Sequence, residues 1–600
     1  MTEVQVEQAK HRYKLPKILG TKRKTELVLL AVALALTITA NMLVSMRLFR
    51  EITPEAITIS LAMIGVAALT HIAIRLFVPD ASQVIFPIVL LLNGIGLAMI
   101  YQVDSANNGS GVNIRQVVWT CVACVLAICV MFLVKNQRML RKYMYIFMLI
   151  GIVLLFLPLV PPFGTLVNGA QVWIHIGPLS MQPAEFAKIF LAIFFAAYLD
   201  ERKATLSLAG PKIMMIQFPR LRDFAPLAIV LAAAVGILVF QRDLGTSLLF
   251  FGQFLAMLYV STRRFSWVAI GLGLFTVAVF VSVNIFEHVA ARFQIWLDPF
   301  NPEVYARAFG GSGQLLQGLF GLSSGGLLGV GFGGGYPQLT PFADSDFIFT
   351  SLGEVLGLQG IIALLLLYLI LVAKGMHMAM IAKDGFTKLL ASGLAFSIVL
   401  QVFVVAGGVM RVIPLTGLTL PFMAKGGTSL CANWIIMALL LVISNRCRSA
   451  NKAEALTKNA QTIAQPPLVI PRTSLKTTHS PSSFRTLSLK TSHTLHLRIP
   501  HLMRNLEMEE NANEHLTQQM SVRHREGAAR TPNQLLIRVK RSFAFSYSLL
   551  INKLLIKPLS LLITHYSLLI NKLLITHYSL LINKLLITHY SLLIKQGVAS

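Results

Sequence analysis

The chain has 600 residues, of which 55% are hydrophobic and only 13% are charged. In soluble domains roughly a quarter of all residues are charged, so this composition disfavours a soluble enzyme and an intrinsically disordered chain. The net charge is +27, but residues 446–600 hold 21 Lys and Arg against six Asp and Glu. More than half of the excess therefore lies in the tail and the rest in short loops, which fits a membrane protein and predicts no nucleic-acid partner.

Twelve apolar segments approach or exceed the roughly 20 residues that span the hydrocarbon core of a bilayer. We therefore predict an all-α, polytopic membrane protein with about 12 transmembrane helices. The predicted spans are residues 25–46, 57–77, 84–100, 117–134, 143–160, 184–199, 224–240, 245–260, 267–286, 359–381, 389–408 and 430–444.

Basic residues in alternate loops predict the orientation. Residues 1–24 form a basic N-terminal segment, and further Lys and Arg follow spans four, six, eight and ten. The loop 161–183, on the other side, has no Lys, Arg, Asp or Glu. Because Lys and Arg mark cytoplasmic loops, we predict a multi-pass protein of the plasma membrane with both termini in the cytoplasm.

The longest connection, about residues 287–358, is predicted to be extracellular, between spans nine and ten. It contains 14 glycines and six carboxylates, and a long loop in a compact domain is usually functional. Asp298 and Glu303 lie in a turn-rich segment with no predicted helix to cap, so each is either a solvated carboxylate or a candidate general base. Asp346 opens a predicted helix, where capping competes with a role in a site.

Charged residues at membrane depth need an explanation, because each costs at least ~2.5 kcal/mol at mid-bilayer. Glu185 and Lys188 stand three residues apart at the start of span six and therefore share a helix face. Two interpretations stay open. The residues form a self-neutralising structural pair, or they face a polar cavity in which Lys188 is available to an anionic ligand.

Further candidate binding residues lie at the outer ends of other spans. Arg242 and Asp243 join spans seven and eight, and Asp243 either caps the next helix or belongs to a site. Arg411 lies in the irregular stretch 407–417, and broken backbone near a membrane is tolerated where it lines a cavity. A guanidinium there can hold a pyrophosphate through two hydrogen bonds.

Two motifs that elsewhere mark cofactor sites receive structural interpretations. The run 329–334 matches GxGxxG, but no βαβ unit surrounds it, so its glycines are predicted to allow tight turns and close approach. Cys121 and Cys124 have no second pair or His cluster nearby, so we predict packing and assign no metal ligands.

The C-terminal region 447–600 is a basic, low-complexity tail. Residues 564–595 repeat a 12-residue unit, which is shorter than the repeats of known solenoids. We interpret the tail as an appendage to the membrane domain. The alternative is that Leu549–Ile594 lies on the membrane as a basic amphipathic stretch.

Five motifs, in order, resemble the SEDS family (RodA, FtsW, SpoVE), most closely its RodA-type members from high-GC Gram-positive bacteria. They lie at Trp173–Lys188, Asp243–Leu248, Ser323–Gly331, Ser345–Glu354 and Ile413–Phe422. The resemblance covers about residues 25–446. It implies a peptidoglycan glycosyltransferase that polymerises lipid II for cell-wall synthesis, cell shape or division, and works with a class B penicillin-binding protein. The alternative function is that of a lipid II flippase.

The resemblance also implies roles for the candidate residues. The family's catalytic acid lies in the large outer loop, where this chain lacks the matching Asp, so Glu303 is the first candidate and Asp298 the second. Lys188, Arg242 and Arg411 would stabilise the departing undecaprenyl pyrophosphate. Substrate-binding roles are assigned as well to Glu185, Asp243 and Asp346. No cofactor is required by this scheme, which leaves room for a divalent metal ion.

Overall fold

The structure is a computed structural model. It describes residues 23–464 except 108, 135–136, 162, 168–169, 177–178, 204–211, 214–215, 218–220 and 308–310. These residues belong to the first of two units, Met1–Ile470; the second is Pro471–Ser600. The predictions for most of the basic N-terminal segment and for the repeats of the tail lie outside the described residues.

Helices account for most of the described chain. In chain order they are α1 Lys24–Phe49, α2 Pro54–Phe77, α3 Ile85–Ala106, α4 Val112–Leu133, α5 Gln137–Lys142, α6 Met144–Phe156, α7 Ala184–Glu201, α8 Leu221–Phe240, α9 Leu244–Thr262, α10 Phe265–Ile285, α11 Glu287–Leu297, α12 Pro302–Tyr305, α13 Gly313–Ser324, α14 Ile348–Ile381, α15 Gly385–Val409 and α16 Gly427–Ala464. Every predicted span overlaps one of them, which confirms an all-α membrane fold.

Nine helices of the described chain are long and apolar enough to cross a membrane: α1 to α4, α9, α10 and α14 to α16. The other three that overlap predicted spans are α6, α7 and α8. The number of twelve spans thus stays a prediction.

The bundle has a buried centre and an apolar rim. In α3 and α16, 89% of the most apolar segment is buried inside the protein, whereas the figure for α10 is 6%. An apolar helix that the protein does not cover is expected to face lipid, because lipid tails are as apolar as its side chains. Helix α16 packs on α4, α14 on α15, and α1 on α3.

Two small antiparallel sheets lie in loops for which the sequence predicted no strands. The first, in the loop after α6, comprises β1 Gly164–Val167, β2 Ala170–Ile176 and β3 Leu179–Met181 in the order β1-β2-β3. The second pairs β4 Lys212–Ile213 with β5 Ile216–Gln217. Strand β2 has three consecutive apolar residues, Val172 to Ile174, which interrupt the apolar/polar alternation by which a strand is predicted.

The large loop contains more helix than the sequence predicted. The segment around Glu303 was predicted to have no helix, yet Asn301 caps the short α12, where Asn301 Oδ1 accepts a hydrogen bond of 2.9 Å from the Glu303 amide. Helix α14 begins at Ile348 after Phe347, so the prediction that Asp346 opens it is wrong by two residues. A break at Gly357 (φ 67°, ψ −173°) divides α14 near the predicted start of span ten.

The two N-terminal helices are tied to the rest of the bundle by a buried charged cluster. Arg23 Nε donates to Glu26 Oε2 at 2.5 Å, and His71 Nδ1 lies 2.8 Å from Glu26 Oε1. Arg23 also donates to the carbonyls of Pro79 and Ala81. Because buried charges are tolerated only when paired and hydrogen-bonded, this cluster fixes α1 and α2 against the entry to α3.

Candidate functional site

A polar site lies where α7, α9, α11 and α14 meet the irregular segment between α15 and α16. We call residues 411–426 the re-entrant loop. The charged side chains around it include Glu185, Lys188, Asp243, Arg292 and Asp346, and Asp344 pairs with Lys425 of the loop at 2.8 Å.

One part of the site is built on Asp243, at the start of α9. Asp243 is the N-cap: Oδ1 accepts a hydrogen bond of 2.9 Å from the Thr246 amide, and Oδ2 one of 2.5 Å from the Thr246 hydroxyl. The predicted capping role is therefore confirmed. Burial raises the pKa of Asp243, the Thr246 hydrogen bonds and Arg292 oppose that rise, and Glu185 adds to it.

Arg292 is within electrostatic range of two acidic residues, Asp243 and Asp346, and the sequence analysis missed it. Its Nη1 donates to the Thr416 carbonyl of the re-entrant loop at 3.1 Å. Burial lowers the pKa of this guanidinium, while the negative charges of Asp243 and Asp346 counteract that effect. The sequence did contain a signal for Arg292, because Lys and Arg are rare in loops predicted to be extracellular. An Arg in such a loop is therefore a candidate for a structural or functional role.

Asp346 completes this part of the site. Burial, opposed by Arg292 and reinforced by Asp344 and Asp243, raises the pKa of Asp346 to about 7. A Cβ atom added to Gly417 would lie 3.6 Å from Asp346 Oδ2, which shows how closely the re-entrant loop approaches. A carboxyl group with a pKa near 7 can both accept and release a proton at neutral pH.

The second part of the site is the pair predicted in span six. Lys188 Nζ donates to Glu185 Oε2 at 2.5 Å and to Gln401 Oε1 at 3.0 Å, and both charged side chains are buried. Gln401 Nε2 in turn donates to the Thr419 carbonyl at 2.9 Å. The ion pair is thus confirmed, and Gln401, which sequence reasoning missed, links it to the re-entrant loop.

The remaining candidates lie nearer the surface. Arg242 is exposed and has a positive φ of 62° beside the buried Asp243. Arg411 donates to the carbonyls of Trp296 at 2.9 Å and Leu297 at 3.2 Å, and therefore holds the end of α11.

The two candidate bases are both solvent-facing. Asp298 is the exposed residue that follows α11, and Glu303 is exposed on α12. Among the described residues, no group of three or more His, Cys, Asp or Glu side chains fits a metal ion.

The fold and the site define a multi-pass membrane protein with a buried charged site at the helix ends. The profile of the FtsW/RodA/SpoVE family, described as "Cell cycle protein", matches residues 81–449. The chain therefore belongs to this family, which confirms the predicted resemblance.

Individual relatives cover most of the membrane domain. The peptidoglycan glycosyltransferase RodA of Mycobacterium tuberculosis (strain H37Rv) is 41% identical over 74% of this chain and 95% of its own length. The RodA of Mycobacterium leprae is 42% identical over 72% and 92%. A solved structure, titled "Structural coordination of polymerization and crosslinking by a peptidoglycan synthase complex", matches with a TM-score of 0.50 and 27% identity over 61% of this chain and 98% of its own.

Proposed function

We propose that this peptidoglycan glycosyltransferase polymerises lipid II at the outer face of the plasma membrane, with both its termini in the cytoplasm. The main support is the 41% identity to a RodA glycosyltransferase over 95% of that relative's length. The clustering of Glu185, Lys188, Asp243 and Asp346 around one loop adds to it, because four residues from three separate motifs share one site.

The proposed reaction needs one base and one inversion. A carboxylate takes the proton from the 4-hydroxyl of the acceptor sugar, and that oxygen forms a bond to the anomeric carbon of the donor. The bond from this carbon to the pyrophosphate oxygen breaks, and its electron pair leaves with undecaprenyl pyrophosphate. An α-linked donor then gives a β-linked product, and no second carboxylate has to act as acid.

Glu303 is the proposed base and Asp298 the second candidate. Both are exposed in the loop where the resemblance places the catalytic acid, so a sugar hydroxyl can approach either one. Asp346 is the half-buried alternative, since its pKa of about 7 suits proton transfer near neutral pH.

The cations of the site are proposed to bind the pyrophosphate. Lys188, Arg242, Arg292 and Arg411 place positive charge on four different elements at the same end of the bundle. Preorganised charge of this kind stabilises a leaving group without reorganisation during the reaction. The carboxylates of the site interact with Arg292 or Lys188, and among the described residues they form no set of three metal ligands.

A transpeptidase of the class B penicillin-binding type is the proposed partner. The matched solved structure is of a peptidoglycan synthase complex whose title couples polymerisation with crosslinking. A polymerase whose product is crosslinked by a second enzyme fits this arrangement.

Purified full-length protein with fluorescent lipid II tests the function directly. We expect glycan strands of increasing length on a gel and release of undecaprenyl pyrophosphate. The same protein in liposomes, with lipid II in one leaflet, tests the alternative function. Transport of lipid II between leaflets without any polymer would favour the flippase and overturn the proposal.

A further inference from the structure

Residues 325–336, the glycine loop, complete the backbone hydrogen bonds of the broken helix α14. The break at Gly357 leaves carbonyls and amides without partners inside the helix. The Val330 amide donates to the Glu354 carbonyl at 3.0 Å, and the Gly331 amide to the Val355 carbonyl at 2.8 Å. Beyond the break, the Leu358 amide donates to the Gly326 carbonyl at 3.0 Å. The position of the glycine loop therefore fixes the geometry of the break.

The opposite edge of the glycine loop rests on helix α1. Arg47, in the last turn of α1, donates through Nη1 to the Val330 carbonyl at 2.6 Å and approaches the Gly331 carbonyl at 3.4 Å. A Cβ added to Gly333 would lie 2.7 Å from Arg47 Cβ, so this close approach requires a glycine. The peptide between Val330 and Gly331 is thus held by Arg47 on one side and by α14 on the other.

Two further hydrogen-bonding groups fix the end of the same loop. Gln102 Oε1 accepts from the Gly333 amide at 2.9 Å, and its Nε2 donates to the Gly334 carbonyl at 2.8 Å. Glu354 Oε1 accepts from the Tyr336 amide at 2.8 Å. The loop is therefore anchored by Arg47 on α1, by Gln102 on α3 and by several hydrogen bonds on α14.

Helix α1 lies outside residues 81–449, which the family profile matches, yet it reaches the segment that sets the first half of α14. Asp346 of the polar site lies two residues before α14. We propose that Arg47 is a positioning residue: through the glycine loop, it holds the first half of α14 in the orientation that places Asp346 in the site. The proposal rests on the proposed glycosyltransferase function of that site.

Replacing Arg47 with Met removes the donor while keeping much of the apolar stem. We expect kcat for lipid II polymerisation to fall on the order of 10-fold or more, with KM nearly unchanged, because misplaced groups affect the chemical step. Arg47→Lys should recover part of the rate, since an ammonium group can donate to one of the two carbonyls. The matched control is Arg50→Met, which removes the same charge from the same end of α1 and should behave like the wild type.

A second variant keeps the test decisive if Arg47→Met folds poorly. Gln102→Leu removes the anchor on α3 and should also lower kcat rather than raise KM. If Arg47→Met and Gln102→Leu both match Arg50→Met in kcat, the inference is wrong. An inactive wild-type protein would instead contradict the proposed function, so the two failures are distinguishable. A rise in KM with kcat unchanged in both variants would likewise overturn the positioning role.

Discussion

Lys188 Nζ lies 2.5 Å from Glu185 Oε2 within the same turn of α7, and both side chains are buried. Breaking such a pair by removing one partner costs roughly 3–5 kcal/mol, because it leaves an uncompensated charge. We therefore expect Lys188→Met to lower the unfolding temperature and to weaken lipid II binding. Lys188→Arg should keep part of both. Binding of lipid II to the purified protein and thermal unfolding measure the two effects.

The double variant Glu185→Gln with Lys188→Met separates the two interpretations of the pair. It contains no unpaired charge, so we expect the unfolding temperature to recover toward the wild-type value. If Lys188 binds the pyrophosphate, lipid II binding stays weak in this variant. Recovery of binding along with stability would show that the pair is structural only.

Glu303→Gln should reduce polymerisation about 10²–10⁴-fold while the protein stays folded, because the change keeps size and hydrogen bonding but removes the base. Asp298→Asn should cost less. Rates are measured with labelled lipid II, and Glu287→Gln, an exposed residue at the start of the same loop, is the matched control. If only Asp298→Asn is inactive, the base is Asp298. If both variants are active, Asp346 and Asp243 become the next candidates for the general base.

The pKa of Asp346, about 7 against an ordinary value of 3.8, predicts how stability depends on pH. The folded state holds this proton more tightly than the unfolded state. The contribution of Asp346 to stability is therefore greatest at low pH and declines as the pH rises from about 4 through about 7. We expect the wild type to lose more stability than Asp346→Asn between about pH 5 and about pH 7.5.

Thermal unfolding at the two pH values measures this difference. The exposed Glu303→Gln variant is the control and should retain the wild-type dependence. Identical pH dependence in the wild type and in Asp346→Asn would contradict a raised pKa at Asp346.

Truncation after about Ala450 should retain membrane insertion and complementation of a RodA-deficient strain. Helix α16 continues to Ala464, and the truncation removes two of its ion pairs, Lys383–Glu454 and Lys452–Asp80. Both pairs involve solvent-exposed lysines, and such pairs contribute about 1 kcal/mol or less each. A chain ending at Ala464 keeps both pairs and is the matched control. Loss of complementation by both chains at normal protein level would show that the tail is needed.

Local sequence patterns determined much of the membrane domain. Long apolar runs located the helices. A spanning segment must satisfy its backbone N–H and C=O groups with internal hydrogen bonds and must present apolar side chains to lipid. The spacing of Glu185 and Lys188 predicted a shared helix face, with an ion pair as one of two interpretations. The position of Asp243 before an apolar run likewise offered a helix cap as one of two. Each of these features depends on residues within one helical turn, which is the range over which sequence spacing fixes geometry.

Only the tertiary structure brought Arg292 into electrostatic range of Asp243 and Asp346, joined Gln401 to Lys188, and placed Arg47 on the glycine loop. The sequence showed the irregular stretch 407–417, but not the break at Gly357 or which distant segments satisfy the backbone groups that such breaks leave without partners. Helical periodicity reports which face of a segment is buried, not which neighbour covers it. The partners in these contacts come from separate helices, so packing of the whole bundle decided them.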